Sequence, residues 1–238
     1  MAKYRLSAFF VILRPMNKFT ILFLILLAVT GCSPIGEVFN AKGAQAFDQN
    51  HLDAANRYLH WATFLDPGNA AAWNNEGYVL YLSKSYDQSE KAFQAALDRT
   101  REKNLIRQIK LNEAMLYCDT RTILGPPPHG DWNRKGIGLF EALIADDPDN
   151  AELHMRLGFA YFRAANPGGG FLELDKAVQL ATPEKVARYV TNPVKGALLI
   201  LQQIQRFYAG IGYFKQVGKV QIKISQLEKI QPTAAGPP

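Results

Sequence analysis

The run Asp146-Asp147-Pro148-Asp149-Asn150 is the densest group of potential metal ligands in this 238-residue sequence. Carboxylate and amide oxygens are the ligands that Ca²⁺ favours, so calcium binding is the chemistry the run could support. It lacks the central glycine and the distal glutamate of an EF-hand loop. We therefore interpret the run as a turn that includes a helix N-cap, and we expect no metal site.

The remaining reactive side chains form no recognisable catalytic set. We expect His60 and His154 to pack inside helices and Cys118 to be a buried, inert thiol. The motifs HExxH, GxSxG, GxGxxG and GxxxxGK[ST] are absent from the sequence, so metalloprotease, hydrolase, dinucleotide and P-loop chemistry has no residues to carry it. The sequence therefore predicts neither enzymatic activity nor a cofactor.

Cys32 follows a short apolar segment near the start of the chain. From Met16 the sequence reads MNKFTILFLILLAVTGC, in which an apolar run of 11 residues begins at Phe19. That run is about half of what a helix needs to cross a bilayer, and the pattern is typical of a secretory signal. Met16 gives a conventional signal by itself, so it is either the true start or the end of a long basic leader.

The residues Val29-Thr30-Gly31-Cys32 resemble the lipobox of bacterial lipoproteins. That resemblance implies that the Cys32 thiol takes a diacylglycerol and that signal peptide 1–31 is then removed, so that Cys32 becomes the acylated N-terminus. Residues 32–35 would tether the mature chain to a membrane of the bacterial envelope. Ser33 resembles the residue of lipoproteins exported to the outer membrane, which in a Gram-negative host implies its periplasmic face. An ordinary signal peptide and an uncleaved anchor are the alternatives.

The charge is unevenly distributed along the chain. The formal net charge is +6, but residues 1–31 carry four basic residues and no acid, so the mature chain is nearly neutral. Nucleic acid is therefore not an expected partner. Residues 33–184 carry −5, whereas residues 185–238 carry +7, with Glu228 as their single acid.

Small and large residues recur with a period of 34 in the middle of the chain. Gly43 and Gly77 are 34 residues apart, as are Leu59 and Phe93. Two helices that pack along their length need small residues where they approach and large apolar residues where they fill the groove. The period and this alternation resemble the tetratricopeptide repeat.

This resemblance implies an all-α fold: a right-handed superhelical solenoid of helix-turn-helix repeats with a C-terminal capping helix. We place four repeats over residues 36–184, and an irregular helical bundle is the alternative. The third repeat is split by an insertion at 122–133, since three consecutive prolines there exclude a helix. We also expect the sequence NPGGG from Asn166 to lengthen the internal turn of repeat four.

Residues 185–231 lack the repeat signature but carry apolar residues at steps of three or four. This pattern predicts a basic amphipathic helical cap, formed by one kinked helix or two. Basic residues here are candidates for contact with a polyanion such as anionic lipid or cell-wall polymer. They are Lys195, Arg206, Lys215, Lys219 and Lys223. Residues 232–238 are expected to be a disordered tail.

Helix A of each tetratricopeptide repeat lines a concave groove in that family. The resemblance places there a largely aromatic set with few charges, which suits an extended or helical apolar peptide. Its members are Asn40, Phe47, Asn74, Asn75, Tyr78, Tyr81, Met155, Phe159, Phe162 and Arg163. Some of these rings could instead belong to the core.

Some family members grip a C-terminal carboxylate with a clamp of lysine, asparagine and arginine. The corresponding places here hold Asn40, Ala44, Asn75, Ile106 and Lys110, and only Asn75 matches fully. We therefore do not expect binding of that kind of tail.

The leading hypothesis is a non-enzymatic, lipid-anchored scaffold that binds a protein partner through its groove. The architecture is similar to lipoproteins that assist outer-membrane assembly, pilus biogenesis or tight-adherence secretion. Polyanion binding through the C-terminal segment is the alternative. An envelope enzyme using Gly125 to Trp132, with His129 and Asp131, is a third hypothesis that lacks a nucleophile or a metal set.

Overall fold

The computed structural model describes residues 34–118 and 132–230, which fold into α-helices without any strand. The helices are α1 Pro34–Asp48, α2 Leu52–Leu65, α3 Ala70–Leu82, α4 Tyr86–Arg99, α5 Lys103–Tyr117, α6 Trp132–Asp146, α7 Ala151–Arg163, α8 Pro167–Leu180, α9 Pro183–Val186, α10 Pro193–Gly210 and α11 Phe214–Glu228. The predicted all-α fold is therefore confirmed. None of these helices is both long and apolar enough to cross a bilayer.

Several predictions fall outside the described residues. They concern the signal peptide 1–31, the acylation site Cys32, the body of the insertion 122–133 and the tail 232–238.

The chain divides into two compact units, residues 1–101 and residues 102–238. The first unit contains α1 to α4 as two helical hairpins, and α2 packs against α3 to join them. The second unit contains α5 to α11, in which α5 pairs with α6, α7 with α8, and α10 with α11.

A glycine pressed against a large side chain explains the small-large alternation within each hairpin. A Cβ built on Gly77 of α3 would lie 2.7 Å from the Phe93 ring of α4. Gly43 meets Leu59 in the same way, with a corresponding distance of 2.5 Å. Phe93 and Leu59 are fully buried, so the two helices approach closely enough to seal these side chains from water.

The turn between the paired helices is nearly the same in four hairpins. Its second residue has a positive φ, and the next residue's N–H bonds to a carbonyl five residues back at 2.9 Å. The positive-φ residues are Asn50, Lys84, Ala165 and Gly212. Since three of these four are not glycine, no residue type marks the turn in the sequence.

The turn at Gly212 has the same backbone conformation as the turns of the repeat hairpins. The C-terminal hairpin α10–α11 is therefore built like a tetratricopeptide hairpin, although the signature residues are missing. In the hairpins α1–α2, α3–α4 and α7–α8 the close glycine and its large partner are 16 residues apart. At the same spacing and place, Gln205 of α10 donates an Nε2–H bond to Oε1 of Gln221 in α11 at 2.6 Å. A polar pair on the surface thus replaces the buried contact, which is why the small-large alternation is absent from this part of the sequence.

Asparagine side chains begin several of the helices. Asn150 accepts a hydrogen bond from the Leu153 N–H at the start of α7, which confirms that the run from Asp146 ends in a helix cap. Asn166 caps α8 in the same way through the Gly169 N–H. The predicted longer turn at NPGGG is wrong, because Pro167 is suited to the first helical position and the three glycines continue as helix.

The hairpin α10–α11 completes the core of the second unit. Leu201, Ile204 and Tyr208 of α10 are fully buried in the same cluster as Met155 of α7 and Leu174 of α8. The segment therefore covers the apolar side of the preceding hairpin, as a cap of a repeat stack must.

Candidate peptide-binding surface

In the first unit, the predicted groove residues of α1 and α3 lie side by side. Asn75 Nδ2 donates a hydrogen bond to Asn40 Oδ1 at 2.9 Å, and both side chains are half-buried. A side-chain amide carries two donor hydrogens and an acceptor oxygen, so this bond uses only part of the hydrogen-bonding capacity of the pair. The pair is suited to contact the backbone of an extended peptide.

Three half-buried rings belong to the same two helices. The Phe47 and Tyr78 rings meet edge to face with centroids 5.6 Å apart, and Tyr78 lies 6.1 Å from Tyr81. Such rings offer a large apolar surface at small entropic cost. We call the set Asn40, Asn75, Phe47, Tyr78 and Tyr81 the A-helix surface.

The structure places the other predicted groove residues inside the protein or against its own helices. Asn74 is 2% exposed, and Met155 is 1% exposed within the core of the second unit. The Phe159 and Phe162 rings pack against Phe207 of α10, at centroid distances of 4.6 and 5.0 Å. Their apolar surface is thus largely used by the C-terminal hairpin.

Arg163 has an internal partner as well. Its Nη1 donates to the backbone carbonyl of Cys118 at 2.9 Å, which ties the end of α7 to the end of α5. We therefore do not include Arg163 in the proposed binding surface.

The C-terminal basic candidates differ in their surroundings. Lys195, Arg206, Lys215 and Lys219 are exposed. Lys223 is not available in the same way, because its Nζ donates to the carbonyls of Val178 and Gln179 near the end of α8. Burial lowers the pKa of this ammonium group.

The histidine and cysteine predictions are confirmed in two of three cases. His154 is 1% exposed and lies between Glu173 Oε2 at 2.5 Å and the Pro148 carbonyl at 2.9 Å. Cys118 is buried, and burial raises the pKa of its thiol to about 12. The prediction for His60 is wrong, because its side chain is 72% exposed with Nδ1 3.3 Å from Glu76 Oε1.

One exposed apolar group was not predicted from the sequence. Large apolar side chains of α1 and α2 face solvent, and we call them the N-terminal patch. They are Ile35, Val38, Tyr58, Trp61 and Phe64. The sequence contains a hint of this patch. Trp61 and Phe64 are aromatic, although the small-large alternation requires no large apolar residue at their positions in helix B.

Comparison with known proteins agrees with the repeats and with the start of the chain. Residues 40–103 match the family model of the tetratricopeptide repeat, and residues 16–33 match that of the prokaryotic membrane lipoprotein lipid attachment site. The chain therefore contains tetratricopeptide repeats and a lipoprotein lipid attachment site.

Solved structures that resemble this chain include two tetratricopeptide proteins or proteins of that fold. MamA from Desulfovibrio magneticus RS-1 is 15% identical, with a TM-score of 0.56 over 84% of this chain and 99% of that chain. A thermophilic repeat protein of Thermus thermophilus is 14% identical, with a TM-score of 0.52 over 81% and 98% of the two chains. At these identities the likeness concerns the fold alone.

A curated relative shares only a segment with this chain. Protein O-mannosyl-transferase TMTC1 of Mus musculus is 34% identical over 74 residues, which are 31% of this chain and 8% of that protein. The segment shared with the mouse enzyme is therefore a small part of its length.

Proposed function

We propose that the lipoprotein is a non-enzymatic scaffold that holds a protein partner at a bacterial membrane by binding an extended segment on the A-helix surface. The observation that carries the proposal is the Asn40–Asn75 hydrogen bond beside the Phe47, Tyr78 and Tyr81 rings. A bound peptide needs hydrogen-bond partners for its backbone and an apolar surface for its side chains. The amides and the half-buried rings on these two neighbouring helices provide both.

The amide pair supplies direction and the rings supply burial. A peptide backbone presents alternating N–H and C=O groups, which asparagine can donate to and accept from. Apolar side chains of the same peptide gain about 25 cal/mol for each Å² they bury against the rings. Because no charged residue belongs to the A-helix surface, the preferred peptide is apolar, and its binding depends weakly on salt.

The location we propose, for a Gram-negative host, is the periplasmic face of the outer membrane, because Ser33 directly follows the attachment cysteine Cys32. There the lipoprotein would serve an assembly such as outer-membrane insertion, pilus biogenesis or secretion. In this role, lipid anchoring raises the local concentration of the scaffold near its membrane-bound partners.

Photo-crosslinking in native membranes tests the proposal. A benzophenone amino acid replaces Tyr81 in the full chain, and the same amino acid at Tyr58 of α2 is the matched control. The expected result is a protein adduct from position 81 that disappears when Asn40 and Asn75 are both changed to alanine, with no such adduct from position 58. The proposal would be contradicted if position 81 gave no protein adduct, or if positions 81 and 58 gave the same adduct.

A second candidate function is binding of an anionic polymer or lipid by the C-terminal hairpin. The supporting observation is the exposure of Lys215 and Lys219 on α11, beside Phe214 at 73% and Ile222 at 63% exposure. Binding of anionic vesicles or cell-wall polymer should fall steeply with salt. Charge reversal at both lysines should abolish this binding. Binding that does not change with salt concentration would exclude this function.

A further inference from the structure

The exposed large apolar side chains of the first unit's described residues are confined to its first hairpin. The exposed fractions are 58% for Ile35, 53% for Val38, 36% for Tyr58, 50% for Trp61 and 67% for Phe64. Single exposed apolar residues are ordinary on a protein surface, but a group on one hairpin marks an interaction site.

These residues lie at one end and along one edge of the hairpin. A Cβ on Gly36 would lie 2.5 Å from Asp66 Cβ, so the first turn of α1 touches the residue that follows α2. That contact places Ile35 and Val38 near the end of α2 that carries Trp61 and Phe64. The Trp61 and Phe64 rings meet edge to face at 5.6 Å.

The edge continues along the hairpin through Phe39 and Tyr58, whose ring centroids are 6.1 Å apart. Lys42 Nζ lies 6.0 Å from each of these two rings. The side of α2 that faces the second hairpin is different, since Thr63 there donates to Glu76 Oε2 of α3 at 2.9 Å. The N-terminal patch is therefore not the face on which the next repeat packs.

The short length of chain between the attachment site and α1 indicates which surface lies next to this patch. The matched lipid attachment site ends at residue 33, and its cysteine is Cys32. α1 begins at Pro34, two residues further on, and two residues span at most about 7 Å. Ile35 is three residues from Cys32, so a bilayer that holds acyl chains on Cys32 lies within about 11 Å of Ile35.

The composition of the patch fits the headgroup region of that bilayer. Tryptophan and tyrosine concentrate at the boundary between membrane and water, because one end of each ring is apolar and the other is polar. Lysine extends its apolar stem along such a surface and keeps its ammonium group in water, as Lys42 can do here.

We propose that the N-terminal patch rests in the headgroup region of the membrane that anchors the chain, and so orients the first hairpin against the bilayer. This inference rests on the lipid attachment used in the proposed function. The acyl chains supply the anchoring, and the patch removes the freedom of the first repeat to rotate about its tether.

Tryptophan fluorescence tests the inference, because the chain has three tryptophans and one of them, Trp61, is in the patch. The full, acylated protein is reconstituted into phosphatidylcholine vesicles, with or without bromine on the upper acyl carbons. The expected result is a loss of emission in the brominated vesicles that Trp61→Phe abolishes. Trp73→Phe is the matched control and should retain it, since Trp73 Nε1 donates to the Pro67 carbonyl at 3.0 Å and its ring lies 5.2 Å from Arg99 Cζ.

Two outcomes would overturn the inference. One is equal emission of the wild-type protein in both kinds of vesicle. The other is Trp61 emission that ignores bromine but changes with the density of protein on the vesicle, which would assign the patch to a second copy of the chain. Flotation of the same vesicles tests the lipid anchor separately, so a protein that floats without quenching refutes the patch alone.

Discussion

Gly158 of α7 approaches α8 so closely that a Cβ on it would lie 2.7 Å from Leu174 Cγ and 3.1 Å from the Gly170 carbonyl oxygen. The second contact is with backbone, which cannot rotate away as a side chain can. Together with Gly43 and Gly77, this glycine explains why the period of 34 residues is visible in the sequence. Small and large residues alternate because they lie where two helices touch.

We predict that Gly158→Ala destabilises the second unit by about 1–3 kcal/mol, because the added methyl group overpacks a close contact. Gly138→Ala on α6 is the control, since a Cβ there meets no atom within 4 Å. The control should be neutral or stabilising by up to about 1 kcal/mol, as expected for a helical glycine replaced by alanine. Urea unfolding midpoints measure both, and a Gly158→Ala variant as stable as the control would refute the close contact.

Phe93→Ala should destabilise the first unit by about 3–5 kcal/mol, because the fully buried ring leaves a cavity against Gly77. Phe64→Ala removes an exposed ring from the same unit and should change the free energy of unfolding by less than about 0.5 kcal/mol in detergent solution. Similar losses in the two variants would show that Phe93 does not fill the space between α3 and α4.

The Cys118 thiol should resist alkylation in the folded protein at pH 8. Burial raises its pKa to about 12, while the nearby Arg163 charge lowers it less, and the unreactive thiol form therefore dominates. Because the folded pKa exceeds the ordinary value of 9.0, stability should fall as pH rises from about 9 to 12.

Quantitation with a chromogenic disulfide reagent, before and after unfolding, measures the reactivity of Cys118. Cys32 is the other cysteine of the chain, and in the proposed lipid anchor a diacylglycerol blocks its thiol. The mature protein should therefore show one reactive thiol, and only when it is unfolded. Rapid reaction of the native protein would contradict either the burial of Cys118 or the acylation of Cys32, and mass spectrometry of the labelled peptide distinguishes them.

Asp147→Asn should destabilise the second unit by about 1 kcal/mol at pH 7. The Asp147 carboxylate accepts hydrogen bonds from Arg107 at 2.8 Å and from Arg188 at 3.2 Å. Partial burial raises its pKa, but bonds from Arg107 and Asn150 and the Arg188 charge outweigh that effect and leave the pKa below its ordinary value. The carboxylate therefore stabilises the fold above about pH 4, and this contribution is lost as pH falls through the lowered pKa.

Unfolding of the wild-type and Asp147→Asn proteins over a pH series measures this contribution. The difference between them should shrink as pH falls from about 4 through the lowered pKa of Asp147, because that side chain then becomes uncharged like asparagine. A difference that stays constant with pH would show that the substitution acts through packing rather than through charge.

Much of the fold was predictable because hairpin packing repeats itself in the sequence. Gly77 and Phe93 have counterparts at the same spacing, so the paired helices could be placed without the structure. The C-terminal hairpin was not recognised as the same unit, since Gln205 and Gln221 occupy the places of the glycine and its large partner. The turn that it shares depends on backbone conformation at Gly212, which no residue pattern records.

The binding surface was harder to predict than the fold. Helix-A spacing selected Tyr78 and Phe159 alike, and the spacing alone does not say which of them a later element covers. Phe207 of α10 packs on Phe159, and that contact depends on how the C-terminal hairpin folds back. The N-terminal patch was missed for the related reason that exposure depends on neighbours, and Trp61 fits a helical pattern equally well buried or exposed.

The most direct test of the account is recovery of the membrane partner by the Tyr78→Ala, Tyr81→Ala double variant. The partner is first identified by crosslinking from position 81 and is then quantified after purification of the acylated protein from native membranes. We predict that the variant loses the partner while its melting temperature stays close to that of the wild type, since both rings are only half-buried. Undiminished recovery of the partner by a folded double variant would contradict binding on the A-helix surface.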